Sequence, residues 1–185
     1  VGGRLVVAGG FCDDILTSVE AYTGTGWTPL PPMPHDTYRA TACVLNGRLY
    51  VMGGVGSNTL QVLEMTEENG LSWSCKANLP ADRCGAASVV HEGKIWAMGG
   101  AVDFQPSASI SIYDAEGDTW EAGPSLRSPC GSCRAATVDG DIFLLHQEAA
   151  LVYGAETQHG RGWRVTGVGG AAGLMFPVCE SLLLG

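Results

Sequence analysis

Charge is scarce in these 185 residues: only 16% are Asp, Glu, Lys or Arg, and 10 basic side chains face 19 acidic ones. A formal net charge of −9 gives no electrostatic grip on phosphate backbones, so nucleic acid and anionic membrane surfaces are poor partners. Long apolar runs are missing too. Stretches such as Leu5 to Ala8 and Leu182 to Leu184 fall far short of the roughly 20 residues that cross a bilayer, so no membrane-spanning segment is expected. Helical periodicity is nearly absent over windows of about eleven residues, which excludes a helix-rich fold. The sequence holds no Asn-x-Ser/Thr acceptor, and its 7 cysteines are an odd number in a chain large enough to have its own core. Both features point to a reducing, cytoplasmic compartment. Val1 to Val7 contains no basic segment feeding an apolar one, so no targeting signal is expected there.

Glycine, by contrast, is abundant, with 27 residues, about twice the usual share. Hydrophobic residues still make up 45%, far too many for a disordered chain. The glycines belong to a repeat of about 46 residues. GRLVVAGG runs from Gly3 to Gly10, GRLYVMGG from Gly47 to Gly54 and GKIWAMGG from Gly93 to Gly100. A fourth copy, GDIFLLHQ from Gly140 to Gln147, has lost the glycine pair. Each copy is followed by an apolar strand ending at Tyr22, Met65, Tyr113 or Tyr153, then by Trp27, Trp73, Trp120 or Trp163.

Within a unit the pattern is of short strands between turns. In the second unit these are residues 41–45, 48–52, 61–65 and 71–75. Asn46-Gly47 and Asp139-Gly140 are tight hairpin signals, because a type I′ turn needs positive φ at both central residues. The strands therefore form an antiparallel meander, with the glycine pairs closing the second strands where another backbone approaches.

This repeat resembles the Kelch repeat, marked by a double glycine, a Tyr beyond a loop and a Trp after a further short spacing. The resemblance covers essentially the whole chain, with glycine pairs at Gly9-Gly10, Gly53-Gly54 and Gly99-Gly100. It implies an all-β propeller of about four four-stranded blades, forming one domain over residues 1–185. The repeats fall at 1–36, 37–82, 83–129 and 130–172, with 173–185 beginning a further blade. Since Ser181 to Gly185 would duplicate Arg4 to Val7, we expect part of a larger, six-bladed ring.

The other motifs read as structural. Cys130-Gly-Ser-Cys133 has metal-ligand spacing, but zinc needs four ligands and no second pair recommends itself, so no metal is expected and loop thiols are. Cys12, Cys43, Cys75, Cys84 and Cys179 read as small apolar residues or loop thiols. Residues 167–172 imitate G-x-G-x-x-A, yet no helix or acidic partner follows, which leaves an inter-blade connection and no nucleotide cofactor. His35, His91, His146 and His159 are scattered as surface or loop residues, and no G-x-S-x-G elbow occurs, so no enzyme is expected. Asp13-Asp14 and Glu67-Glu68 lack a calcium loop's ligand array. The repeated tryptophans, and Trp96 aligned with Tyr50 and Phe143, fill space between blades, the indole N–H reaching a backbone partner.

Binding belongs to positions that differ between repeats. One set follows the glycine pairs and includes Asp13, Asn58 and Asp103; the other leads into the inner strands and includes Tyr38, Arg39, Arg83 and Ser132. The resemblance implies that both converge on one mouth of the propeller. Arginines, serines and tyrosines there grip acidic or phosphorylated peptides in the substrate adaptors of cullin ubiquitin ligases. The aspartates of this rim depart from that pattern. Arg83 aligns with Thr37 and Cys130, so replacing Arg39 or Arg83 is expected to leave stability within about 1 kcal/mol. The function expected is a module binding a peptide or protein on these loops, as in a ligase adaptor. The alternatives are an actin or cytoskeletal scaffold, or a small-molecule enzyme of the copper oxidase, mutarotase or specifier type.

Overall fold

The computed structural model describes residues 3–66, 70–146, 149–154 and 162–168, and these form strands and turns with no helix. The first blade comprises β1 (Val6–Ala8), a small hairpin of β2 (Phe11–Cys12) and β3 (Asp14–Ile15), then β4 (Val19–Tyr22) and β5 (Trp27–Leu30), with sheet order β1-β4-β5. The second is a meander of β6 (Thr41–Leu45), β7 (Arg48–Met52), β8 (Leu60–Thr66) and β9 (Gly70–Lys76). In the third, β10 (Ala87–His91) and β11 (Lys94–Met98) lead to a hairpin of β12 (Ala101–Val102) and β13 (Gln105–Pro106), and then to β14 (Ile110–Asp114) and β15 (Thr119–Ala122). The fourth is β16 (Arg134–Val138), β17 (Asp141–His146), β18 (Ala149–Tyr153) and β19 (Trp163–Val168).

Both expected hairpins form, with φ of +50° and +74° at Asn46 and Gly47, and +51° and +84° at Asp139 and Gly140. Glu92 and Gly93 make the equivalent turn at +49° and +75°, with Glu in the place usually taken by Asn or Asp. One boundary differs from the sequence expectation. Gly167 and Val168 pair with Ala150 and Ala149, so they extend β19 past a bulge instead of opening a connection. Residues 169–185, including the expected strands 173–179 and 181–185, lie outside the described residues.

The blades stack through both faces of their sheets, so strands that in a half-exposed sheet would alternate with polar residues read as continuous apolar runs. Along β7, Leu49 and Val51 face the first blade, in a cluster with Val19 and Met33. Tyr50 and Met52 face the third, with Ile95 and Tyr113. Along β11 the alternation repeats: Ile95 and Ala97 join the second blade, while Trp96 and Met98 join the fourth with Ile142, Leu144 and Trp163. Each fully buried aliphatic side chain contributes on the order of 2 kcal/mol. The first strands are neighbours too, β6 against β10 and β10 against β16, tied by Thr41 Oγ1 to Ser88 Oγ at 2.7 Å and by Thr137 Oγ1 donating to Val90 O at 3.0 Å.

Candidate partner-binding rim

The chain direction puts two loop sets at one end of the blades: those following the glycine pairs, and the connections that carry the chain from one blade's last strand to the next blade's first. These loops dock on each other. Gly10 N donates to Thr37 O at 2.8 Å and Gly54 N to Arg83 O at 2.8 Å, so each connection lies on the preceding blade's glycine pair. A Cβ on Gly53 would collide with Arg83 O, and one on Gly99 would stand 2.6 Å from Cys133 Sγ and 3.0 Å from Cys130 O. The repeated glycines are thus demanded by inter-blade docking as well as by positive φ.

The aligned residues Thr37 and Arg83 perform one scaffold task with different chemistry. Thr37 Oγ1 donates to Gly53 O at 2.7 Å, and Arg83 Nη1 donates to Gly99 O at 2.6 Å. Arg83 also reaches Ser109 O at 3.0 Å and Ser109 Oγ at 2.7 Å. Its side chain is only 5% exposed, and burial pulls its pKa below the ordinary guanidinium range. The sequence expectation of Arg83 as a dispensable partner contact is therefore corrected: its guanidinium is spent inside its own blade.

The tryptophans likewise belong to the scaffold. Trp73 Nε1 donates to Pro31 O at 2.7 Å, Trp120 Nε1 to Ala77 O at 2.7 Å and Trp163 Nε1 to Pro124 O at 3.1 Å. Each pins the connection that precedes its own blade. Tyr113 OH donates to Asp118 Oδ1 at 2.6 Å, and the same oxygen accepts Ala77 N at 2.8 Å. Burial first and Asp118 second push the Tyr113 phenol up, while the phenol and the Ala77 amide hold the Asp118 carboxyl below its ordinary 3.8.

The remaining rim candidates divide by exposure. Tyr38 is 40% exposed, with its ring 5.6 Å from that of Phe11. Arg39 is exposed, has φ of +59°, and lays its guanidinium over Gly85. Asp13, Asp103 and Ser132 are exposed, the two aspartates with φ of +61° and +49°. Asn58 is half-buried and its amide donates to Leu79 O at 3.2 Å, which makes it a brace for the connection. Phe11 and Phe104, 62% and 78% exposed, lie in the variable loops after the glycine pairs, which the sequence marks as candidates without distinguishing these residues as contacts. Phe104 borders a cleft of about 40 Å³ with Gly54, Asp82, Arg83 and Asp103.

Two further expectations are revised. Cys130 and Cys133 are buried and joined by a disulfide, so they are not plain loop thiols; they pack over Gly99. His91 is not a surface residue: it is 5% exposed at the end of β10, edge-on to Trp96 at 5.2 Å and to Tyr153 at 6.0 Å. His35 is exposed, and its backbone exchanges two hydrogen bonds with the buried Gln61 amide. His159 and the Glu67-Glu68 pair lie outside the described residues. Among the described residues no group of three or more His, Cys, Asp or Glu side chains is placed to hold a metal, and no helix is long and apolar enough to cross a membrane.

Three antiparallel four-stranded blades and a three-stranded first one, stacked face to face with glycine pairs and tryptophans fastening the junctions, define a β-propeller. The Kelch motif matches residues 36–65 and 82–127. Kelch-like protein 35 of Mus musculus is 30% identical over 152 residues, covering 77% of this chain and 25% of its own length. An F-box/kelch-repeat protein of Arabidopsis thaliana is 28% identical over 181 residues, 90% of this chain and 46% of that protein. Kelch repeat and BTB domain-containing protein 12 of Danio rerio is 26% identical over 123 residues, 64% of this chain and 14% of its own length. The solved structure of YjhT superposes with a TM-score of 0.64 over 77% of this chain and 54% of that one, at 13% identity, which is a likeness of fold. The chain thus carries Kelch repeats and is similar to Kelch-repeat proteins, and it spans less than half the length of these curated relatives.

Proposed function

We propose that this chain is a protein-interaction module that holds a peptide or protein on the glycine-pair rim. The observation that carries the reading is the contrast in how side chains are spent. Thr37, Arg83, Trp73, Trp120 and Trp163 are consumed by bonds within and between blades, while Tyr38, Arg39, Asp103, Phe104 and Ser132 stand exposed on one end. Exposed, unrepeated residues on a repeated scaffold are where recognition is placed. The names of the relatives support a finer reading: two of them join Kelch repeats to an F-box or a BTB domain. On that basis the chain serves as the substrate-recognition part of a cullin-type ubiquitin ligase.

The test is affinity capture from the native source with the full-length protein, wild type and Tyr38→Ala/Arg39→Ala. Partners lost from the double variant at unchanged thermal unfolding support the rim, and a co-purifying cullin supports the ligase role. Retention of every partner by a folded double variant overturns the rim reading.

A further inference from the structure

The chemistry of the rim goes one step past the reading above, on which it rests. Beside Arg39 and Ser132, its exposed side chains include two groups. The first is aromatic: Phe104, Phe11 and Tyr38. Phe104 sits with Asp103 in the turn between β12 and β13, at φ of +61° and +49°. Left-handed backbone is costly for a residue with a Cβ, and a ring 78% exposed recovers little of that cost by packing. The second is acidic: Asp13, Asp82 and Asp103 are all exposed.

Several carboxylates away from this rim are answered by the protein's own bases. Arg48 pairs with Glu64 at 2.8 Å, and Lys94 pairs with Asp114 at 3.3 Å and Glu121 at 3.1 Å. Among the described residues no ion pair reaches Asp13, Asp82 or Asp103. Of the cations nearby, Arg83 is buried, Arg134 Nη1 donates to Cys133 O at 2.9 Å, and Arg39 is exposed over Gly85 with no ion pair to these aspartates. Unanswered negative charge beside exposed aromatic faces is complementary to a cation on an apolar stem.

We propose that the rim binds a cationic segment of a protein partner, in which an apolar side chain flanked by Lys or Arg packs on Phe104 and Tyr38 while the bases face Asp82, Asp103 and Asp13. An acidic or phosphorylated segment would meet like charge at the same places.

The experiment uses the full-length protein and matched fluorescein-labelled peptides that share a central Leu-Trp and differ only in Lys/Arg, Ser/Gln or Glu/Asp flanks, read by fluorescence anisotropy. The cationic peptide should bind at least about tenfold tighter than the neutral one, with affinity falling as salt is raised. Phe104→Ala, Asp82→Asn and Asp103→Asn should each weaken it about fivefold or more at unchanged thermal unfolding, whereas Asp139→Asn at the opposite end should not. Asn tolerates left-handed backbone, so Asp103→Asn removes charge without forcing the turn. Equal or tighter binding of the neutral or acidic peptide, no binding of any peptide, or an equal effect of Asp139→Asn overturns the proposal. The two readings part cleanly. An acidic peptide that binds and is lost with Tyr38→Ala ends the cationic inference and leaves the rim, while a cationic peptide indifferent to every rim variant ends the rim reading itself.

Discussion

Arg39 and Arg83 both lie in connections leading to inner strands, yet their guanidinium groups meet opposite surroundings. Arg83 is buried with donors on Gly99 O and Ser109 O; Arg39 is exposed above Gly85. Arg83→Ala would take the guanidinium donor from the buried Gly99 O and the bonds to half-buried Ser109, whose carbonyl keeps the Gly99 amide, a cost of about 2 to 3 kcal/mol in urea or thermal unfolding. Arg39→Ala should change stability by less than about 1 kcal/mol, since Ala and Arg carry the same left-handed strain. Sequence alignment within the chain misjudged Arg83 for an instructive reason. Unlike residues at one repeat position looked like freedom, but Thr37 and Arg83 satisfy equivalent carbonyls, Gly53 O and Gly99 O, with unlike donors. Asp118 makes a pH-dependent contribution of definite sign. Its carboxyl is held below 3.8 in the folded state by Tyr113 and the Ala77 amide, so the stabilisation is full above that value and is lost as pH falls through the depressed folded one. Asp118→Asn should therefore flatten the acid limb of melting temperature against pH below about 4, and an unchanged acid limb would contradict the assignment.

The elements of the blade were legible because their signals are local. Strands 41–45 and 48–52 were expected where β6 and β7 lie, and β8 and β9 exceed expectation by one residue at each end. Turn chemistry set the hairpins at Asn46-Gly47 and Asp139-Gly140. What the sequence could not show is that the glycine pairs are spaces for another blade's backbone, since that backbone arrives from some thirty residues away. The pair Gly53 and Gly56 tests the point. Both have positive φ, but a Cβ at Gly56 meets nothing within 4 Å, whereas at Gly53 it meets Arg83 O. Gly56→Ala should cost about 1 kcal/mol from backbone strain alone, and Gly53→Ala more than about 3 kcal/mol because the docking connection must move. Trp120→Phe isolates the second fastening. It keeps most of the ring, loses the bond to Ala77 O, and should cost about 1 to 2 kcal/mol, against about 3 to 5 for Trp120→Ala.

Across the whole molecule, three apolar clusters fill the three junctions between four successive blades, and the same alternation of side chains serves two junctions from one strand. Such a body is stabilised by nearest-neighbour contacts, which frees its loop ends to vary without loss of fold. The scaffold was readable from sequence because every blade needs it and so repeats it. The rim was only half readable: Tyr38, Arg39, Asp13, Asp103 and Ser132 stand exposed, Arg83 and Asn58 are structural, and Phe11 and Phe104, already within the candidate loops, stand out by their exposure. The central claim is that unrepeated exposed residues bind and repeated or bonded ones hold the fold. Its most direct test measures thermal unfolding and affinity for one captured partner on Arg83→Ala, Trp120→Phe, Tyr38→Ala and Phe104→Ala of the full-length protein. The first two should melt lower and, while still folded, bind as wild type; the last two should melt as wild type and bind at least about tenfold more weakly. Tyr38→Ala and Phe104→Ala variants that are folded and bind at wild-type affinity would contradict it.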